Sequence, residues 1–196
     1  MSVGTEPWME TFTAQLPQKL AAVGCQYPDQ AAKNVEALAL DASARSQLDA
    51  ALPALFTGLR RVPDPDLALN NLERFNKAVL DPRFLLGLFR DNPRILHLLL
   101  TIFGSSQFLS DILVRHPQLF EWLLEPGVIR RPKGKEELQE EAQQAVSAAP
   151  SLERRWGALR RFKVQEILRI GLQDLVGRQP LAGITEELSN LADVIL

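Results

Sequence analysis

A cluster of cationic side chains on one predicted helix has the clearest chemical potential in this sequence. Between Ser151 and Arg178, seven cations and three carboxylates leave a local charge of +4, although the whole chain carries a formal net charge of -2. Guanidinium and ammonium groups bind phosphates and carboxylates. The cluster therefore predicts contact with a phosphate group or an acidic partner. The residues selected for this contact are Arg160, Arg161, Lys163 and Arg169.

The sequence favours a second interpretation of the same cluster, in which its charges are solvated or form ion pairs within the protein. An acidic run, EELQEE, occupies residues 136–141 and precedes the basic helix. Exposed charges of opposite sign often pair at a protein surface with little energetic consequence. The acidic run itself is typical of a solvated helix face, and a docking segment for a partner is its alternative.

The histidines and serines do not form a hydrolase pattern. A nucleophile needs a neighbouring base, and the two histidines of the chain, His97 and His116, have no carboxylate nearby in sequence. The segment Gly104-Ser105-Ser106 lacks the spacing of a nucleophile elbow. We expect both histidines to be structural and one of the serines to cap the next helix.

Metal and phosphate-loop chemistry has equally weak support. Asp64 and Asp66 resemble a magnesium-binding pair, but Pro65 separates them where a helix is predicted to start, so capping is the favoured interpretation. No spacing of His, Cys or carboxylates is typical of a metal site, and no glycine-rich loop is typical of phosphate binding. The sequence predicts no metal ligands in this chain.

Composition limits the class of protein. Hydrophobic residues make up 46% and charged residues 23% of the 196 residues, as in ordinary globular proteins. The acidic balance argues against nucleic-acid binding. Cys25 is the only cysteine, which excludes an internal disulfide and fits a reducing cytoplasm. The richest apolar run, residues 95–103, is too short for a membrane span, and the N-terminus lacks a secretory signal.

Helical periodicity runs through the sequence, and no stretch alternates as a half-buried strand does. We therefore predict an all-α, irregular multi-helix bundle without a β-sheet, with a long helix over residues 151–176 as its spine. Proline starts recur at residues 64–65, 81–82, 92–93 and 116–117, which predicts short helices joined by tight corners. Pro17 is expected to kink or interrupt its helix, and Pro53 is expected to bend its helix.

Four segments are expected within one domain. They are a helical lead (1–62), a core segment of short helices (63–126), a polar connector (127–150) and a part with the long and final helices (151–196). The connector is predicted to contain a solvated helix or a disordered insert. The last helix, predicted from Ile184 to Ile195, has no capping residue before Leu196, so we expect a chain cut within a longer protein.

Three stretches occur in a recognisable order: DPDLALNNLERF (64–75), GSSQFLSDILVRHPQLFEWL (104–123) and LRRFKVQEILRIGLQDL (159–175), followed by ELSNLADVIL. In order and spacing they resemble the N-terminal helical region of glutamate-ammonia-ligase adenylyltransferase, the bifunctional enzyme that adenylylates and deadenylylates glutamine synthetase. The resemblance covers Pro63 to the C-terminus, and the first sixty residues match only as a variable helical lead.

The resemblance implies a role in nitrogen metabolism for the parent enzyme. That enzyme transfers AMP from ATP to a tyrosine of glutamine synthetase with magnesium, and its N-terminal catalytic half removes AMP by phosphorolysis. Glutamine and a PII-type signalling protein regulate it. The implied partners are the enzyme's own downstream nucleotidyltransferase domain, glutamine synthetase and the PII-type protein, with no nucleic acid and no membrane.

The catalytic motif of that domain, a glycine-rich turn followed by Ser-x-Asp-x-Asp, has no match in this sequence. We therefore expect no catalytic residue and no bound cofactor in this chain, and expect it to be inactive alone. A free-standing helical protein-interaction module is the alternative, and nucleic-acid binding ranks last. An open reading frame after Leu196 favours the family interpretation, whereas a stop codon favours the free-standing module.

Overall fold

The computed structural model describes residues 7–39, 41–129 and 131–196, and these form eleven α-helices and no strand. The predicted all-α fold is confirmed. The chain divides into two compact units, Met1–Pro117 and Gln118–Leu196, here called the N-terminal and C-terminal units. The finer division at residues 63, 127 and 151 stays a prediction. The helices are α1 (Pro7–Ala22), α2 (Pro28–Ala37), α3 (Ala42–Leu59), α4 (Pro65–Ala78), α5 (Pro82–Asp91), α6 (Pro93–Ser105), α7 (Gln107–Arg115), α8 (Gln118–Leu123), α9 (Lys135–Ser147), α10 (Leu152–Leu175) and α11 (Leu181–Ile195).

Side-chain caps set several helix starts. Asp64 accepts a hydrogen bond from the Leu67 backbone N–H at 2.8 Å, so its predicted capping role is confirmed. Ser106 caps α7 by accepting from the Leu109 N–H at 3.3 Å. The helix break predicted at residues 116–117 is also present, because α7 ends at Arg115 and α8 begins at Gln118.

Two prolines lie inside helices that continue through them. Pro17 is within α1 and Pro53 is within α3. A proline removes one backbone hydrogen bond but leaves its neighbours free to bury apolar side chains. Leu16 and Leu52 next to these prolines are 0% and 5% exposed, and their burial favours the helical path. The alternative that Pro17 interrupts its helix was wrong, and the kink at Pro17 and the bend at Pro53 stay predictions.

The N-terminal unit has α6 at its centre. This helix packs against α3, α4, α5 and α7. Its Phe103 ring lies 5.6 Å from the Phe75 ring of α4, centroid to centroid, in a tilted arrangement. A Cβ at Gly104 would lie 2.9 Å from the backbone oxygen of Asp64, so this glycine permits a close approach of α6 to the start of α4.

The C-terminal unit contains a three-helix packing of α9, α10 and α11. Its apolar core includes Leu138 from α9, Phe162 and Ile170 from α10, and Ile184 and Leu191 from α11. Leu138 is fully buried. The predicted polar connector therefore contains an ordered helix with an apolar face, and the alternative of a disordered insert is wrong. Within the described residues, no helix has the length and hydrophobicity to cross a membrane.

Candidate functional site

Helix α10 carries all four candidate cations. Ser151 starts the helix by accepting a hydrogen bond from the Arg154 N–H at 3.3 Å. The helix then runs for 24 residues, as predicted for the spine. Residues 151–156 are all exposed, whereas Leu168, Arg169 and Ile170 are each 0% exposed. The helix thus has a solvated first half and a buried second half, and the candidates divide between them.

Arg160, Arg161 and Lys163 lie on the solvated half. All three are exposed, and no side chain that the structure describes forms an ion pair with any of them. An unpaired surface cation keeps its full capacity to bind an external carboxylate or phosphate. The geometry of these three residues is compatible with the predicted contact, which stays a prediction.

The acidic helix α9 uses its carboxylates elsewhere. Glu137 binds Arg131 through two hydrogen bonds of 2.7 Å each, and this contact lowers the pKa of Glu137. Glu141 accepts a hydrogen bond of 2.5 Å from Lys133 Nζ. Among the described residues, α9 therefore pairs with cations of the loop before it, and not with the cations of α10.

Arg169 has a different environment from the other three candidates. Its side chain is 0% exposed and lies between the carboxylates of Glu166 and Glu187, which are 1% and 2% exposed. Its Nε donates to Glu166 at 2.7 Å, its Nη2 donates to Glu187, and its Nη1 donates to Gln173 at 3.1 Å. Arg169 is therefore paired with buried side chains inside the C-terminal unit, unlike the three exposed cations.

Further hydrogen bonds extend this buried network to the loop before α9. Lys133 Nζ donates to Glu166 at 2.9 Å, and the Lys133 backbone N–H donates to Glu187 at 2.8 Å. Gln173 Nε2 donates to the Arg131 carbonyl at 2.8 Å. Burying charges is costly unless each is paired and hydrogen-bonded. The network meets that condition and fixes the loop, α10 and α11 relative to one another.

Sequence reasoning selected Arg169 but missed its network partners. Glu166 and Gln173 are three residues before and four residues after Arg169, a spacing that places all three on neighbouring turns of a helix. That spacing was the available signal. The contribution of Glu187 and Lys133 depends on the packing of α11 and the loop, for which the sequence offers no comparable signal.

The remaining candidates have structural contacts. His97 Nε2 lies 3.1 Å from the Ala54 carbonyl oxygen. Asp66 accepts hydrogen bonds from the backbone N–H groups of Gln26 and Tyr27 at 2.6 and 3.2 Å. With Asp64 also engaged as a cap, this pair does not offer converging free oxygens to a magnesium ion. No group of three or more His, Cys, Asp or Glu residues in the described part of the chain could hold a metal ion.

Comparison with known proteins identifies a family. Residues 96–196 match the family described as Glutamate-ammonia ligase adenylyltransferase. A protein of Chromobacterium violaceum named bifunctional glutamine synthetase adenylyltransferase/adenylyl-removing enzyme is 29% identical over 200 residues, covering 98% of this chain and 22% of the relative. Proteins of the same name are 32% identical in Pseudomonas aeruginosa, covering 78% and 16%, and 28% identical in Mycobacterium tuberculosis, covering 91% and 18%.

Two features of these matches bear on function. The chain spans about a fifth of the length of the curated relatives it matches. The family match includes all of α10 and therefore the whole candidate site.

Proposed function

This chain belongs to the glutamate-ammonia ligase adenylyltransferase family, and we propose that it is the helical N-terminal portion of an enzyme that transfers AMP to and from a tyrosine of glutamine synthetase. In this proposal, the helices pack against and position an adjacent nucleotidyltransferase domain. The AMP-transfer chemistry belongs to that domain, and this segment alone is inactive.

The observation that carries the proposal is the exposed basic half of α10. Arg160, Arg161 and Lys163 extend from a helix whose other half is immobilised by the Arg169 network. Cations held on a rigid element are suited to fixing the orientation of an acidic partner surface or of a bound phosphate. The buried half supplies the rigidity, and the exposed half supplies the contact.

The proposal assigns no cofactor to the described residues. Magnesium and ATP, which the family resemblance implies, supply electrostatic stabilisation and the AMP group when bound to the nucleotidyltransferase domain. We propose a cytoplasmic location, with glutamine synthetase as the protein substrate and a PII-type protein as the regulator. In this proposal, the residues of this chain hold the nucleotidyltransferase domain in position and take no part in the chemistry. Their substitution is therefore expected to affect rates through the placement of that domain.

Charge reversal tests the proposal. In a full-length family enzyme that carries this segment, Arg160→Glu together with Arg161→Glu is expected to reduce deadenylylation or the binding of glutamine synthetase. Arg178→Glu is a matched control because Arg178 is also exposed but lies beyond the end of α10. Unchanged deadenylylation and unchanged glutamine synthetase binding in the double variant would refute the proposal.

A further inference from the structure

An exposed stripe on the first half of α10 combines apolar and cationic side chains. Its members, Leu152, Trp156, Arg160 and Lys163, fall within an arc of about 80° on the helix because each residue advances about 100°. We call these four residues the Trp156 stripe. Leu152 is 70% exposed and Trp156 is 56% exposed. More than half of the surface of this large aromatic residue is therefore open to solvent in the described structure.

We propose that the Trp156 stripe is a docking surface for an acidic protein surface that contains an apolar cleft. In this arrangement, Trp156 and Leu152 enter the cleft, and the carboxylates at its rim pair with Arg160 and Lys163. Tryptophan and arginine are the residues most enriched at the energetic centres of protein interfaces. The inference deepens the proposed function and rests on it, since it names the contact surface and the chemistry of its partner.

Charge complementarity indicates the sign of the partner surface. The exposed half of α10 carries five cations, Arg154, Arg155, Arg160, Arg161 and Lys163, but only one exposed carboxylate, Glu153. The Arg155 Nε donates to the Ala149 carbonyl at 3.2 Å, whereas the cations of the stripe have no ion-pair partner among the described side chains. A carboxylate-rich surface is the complement of such a face.

The apolar members argue for a protein partner. A helix that lies on a membrane needs a broad apolar face, and this stripe has only two apolar side chains. Nucleic acids can stack on tryptophan and pair with cations, but they offer little to bury Leu152. An apolar cleft with an acidic rim satisfies all four side chains at once.

We assign the cleft to the remaining part of the family polypeptide. The relatives are about five times as long as the segment that matches this chain. A surface in the same polypeptide has a high effective concentration and can bind without a large intrinsic affinity. The nucleotidyltransferase domain of the proposed function is the occupant to which we commit.

Solvent accessibility of Trp156 tests the inference without an activity assay. The 196-residue chain and a full-length family enzyme carrying it are labelled with fluorotryptophan, and the Trp156 signal is identified by its loss in Trp156→Phe. Fluorine NMR then measures how a soluble paramagnetic probe broadens this signal. We expect the broadening to be several-fold weaker in the full-length enzyme, because the cleft covers the ring.

A charge-reversed stripe provides the second measurement. Arg160→Glu with Lys163→Glu is expected to restore most of the broadening in the full-length enzyme, whereas the control Arg178→Glu leaves Trp156 protected. Circular dichroism of each variant verifies that the helices are retained. If the control restores the broadening as strongly as the stripe variant, the electrostatic contact is refuted.

Several outcomes would overturn the inference. Equal broadening of Trp156 in the two proteins shows an uncovered ring, and concentration-dependent protection in the 196-residue chain assigns the surface to a second copy. Protection that requires added anionic vesicles or single-stranded DNA assigns it to a different class of partner. A covered Trp156, with normal deadenylylation and normal glutamine synthetase binding in the Arg160→Glu/Arg161→Glu enzyme, refutes the proposed function alone. An uncovered Trp156 with impaired deadenylylation refutes the docking alone.

Discussion

Replacement of Arg169 by methionine tests whether the buried network holds the C-terminal unit together. Methionine retains an unbranched side chain but removes every donor of the guanidinium. Glu166 then keeps its 2.9 Å contact with Lys133 Nζ, and Glu187 keeps the Lys133 backbone N–H at 2.8 Å. Each carboxylate remains at least 98% buried in the native packing and loses its guanidinium partner.

The expected loss of stability is large. Breaking a buried ion pair by removing one partner typically costs about 3–5 kcal/mol. The residual contacts with Lys133 place Arg169→Met near the lower end of that range, about 3 kcal/mol. For a unit of this size, such a loss corresponds to a fall in Tm of about 12 °C or more.

Urea unfolding followed by tryptophan fluorescence measures this loss. Trp122 and Trp156 both belong to the C-terminal unit, so their emission reports on its transition. Arg160→Met is the matched control, since it makes the same chemical change at an exposed position of the same helix. The control is expected to remain within about 0.5 kcal/mol of the parent protein.

The result that refutes this reasoning is a small effect. If Arg169→Met costs no more than Arg160→Met, the network does not stabilise the unit. A double variant, Arg169→Met with Glu187→Leu, separates two contributions to the loss of stability: a buried carboxylate without its cation, and lost side-chain packing. Because it also removes the buried Glu187 carboxylate, which has lost its ion-pair partner Arg169, the double variant is expected to be more stable than Arg169→Met alone.

Three further predictions concern other contacts. Gly104→Ala is expected to destabilise the N-terminal unit by about 1–3 kcal/mol, because a Cβ there would lie 2.8 Å from the Val62 Cβ; thermal unfolding with Gly157→Ala as a control measures this. Burial, followed by the charges of Asp66 and Asp64, raises the pKa of the Cys25 thiol to about 12, so alkylation near pH 8 is expected to be slow until denaturant is added. The Arg131 hydrogen bond lowers the pKa of Glu137. The stability that this pair contributes is therefore present above the ordinary pKa of a glutamate and is lost as the pH falls through the lowered pKa. Arg131→Ala is expected to be less stable than the parent protein at neutral pH and equally stable in strong acid, as measured by urea unfolding.

Each of these predictions has an outcome that contradicts it. Equal stability of the Gly104→Ala and Gly157→Ala proteins removes the steric argument at the corner. Alkylation of Cys25 in the native protein at the rate of a small free thiol contradicts its burial. A stability difference for Arg131→Ala that persists unchanged into strong acid contradicts the assigned pair with Glu137.

Local chemistry explains why many helix starts were predictable. The Asp64 and Ser106 caps depend only on a side chain and the N–H three residues later, so the sequence contains the whole interaction. The continuous helix through Pro17 was not predictable in the same way. Its stability involves Leu16 and Leu20, which are both 0% exposed in a helix that packs against α2.

The same contrast between local interactions and packing between helices applies to the candidate site. The positions of Arg160 and Arg161 on the helix surface agree with a solvated basic face, which periodicity and charge indicate. The burial of Arg169 depends on Glu187, which is eighteen residues away and approaches only when α11 packs on α10. An arginine on a helix is the same residue type whether it is exposed or buried, and only the tertiary fold determines which of the two environments it has.

The deadenylylation rate of the Arg160→Glu/Arg161→Glu full-length enzyme tests the central claim most directly, when it is compared with Arg178→Glu at equal folded fraction. We predict a decrease of about tenfold or more, equivalent to at least about 1.4 kcal/mol of lost transition-state stabilisation, with an unchanged Tm for the helical segment. A rate equal to that of the control enzyme, with binding of glutamine synthetase also unchanged, would contradict the claim that this basic helix positions the catalytic domain.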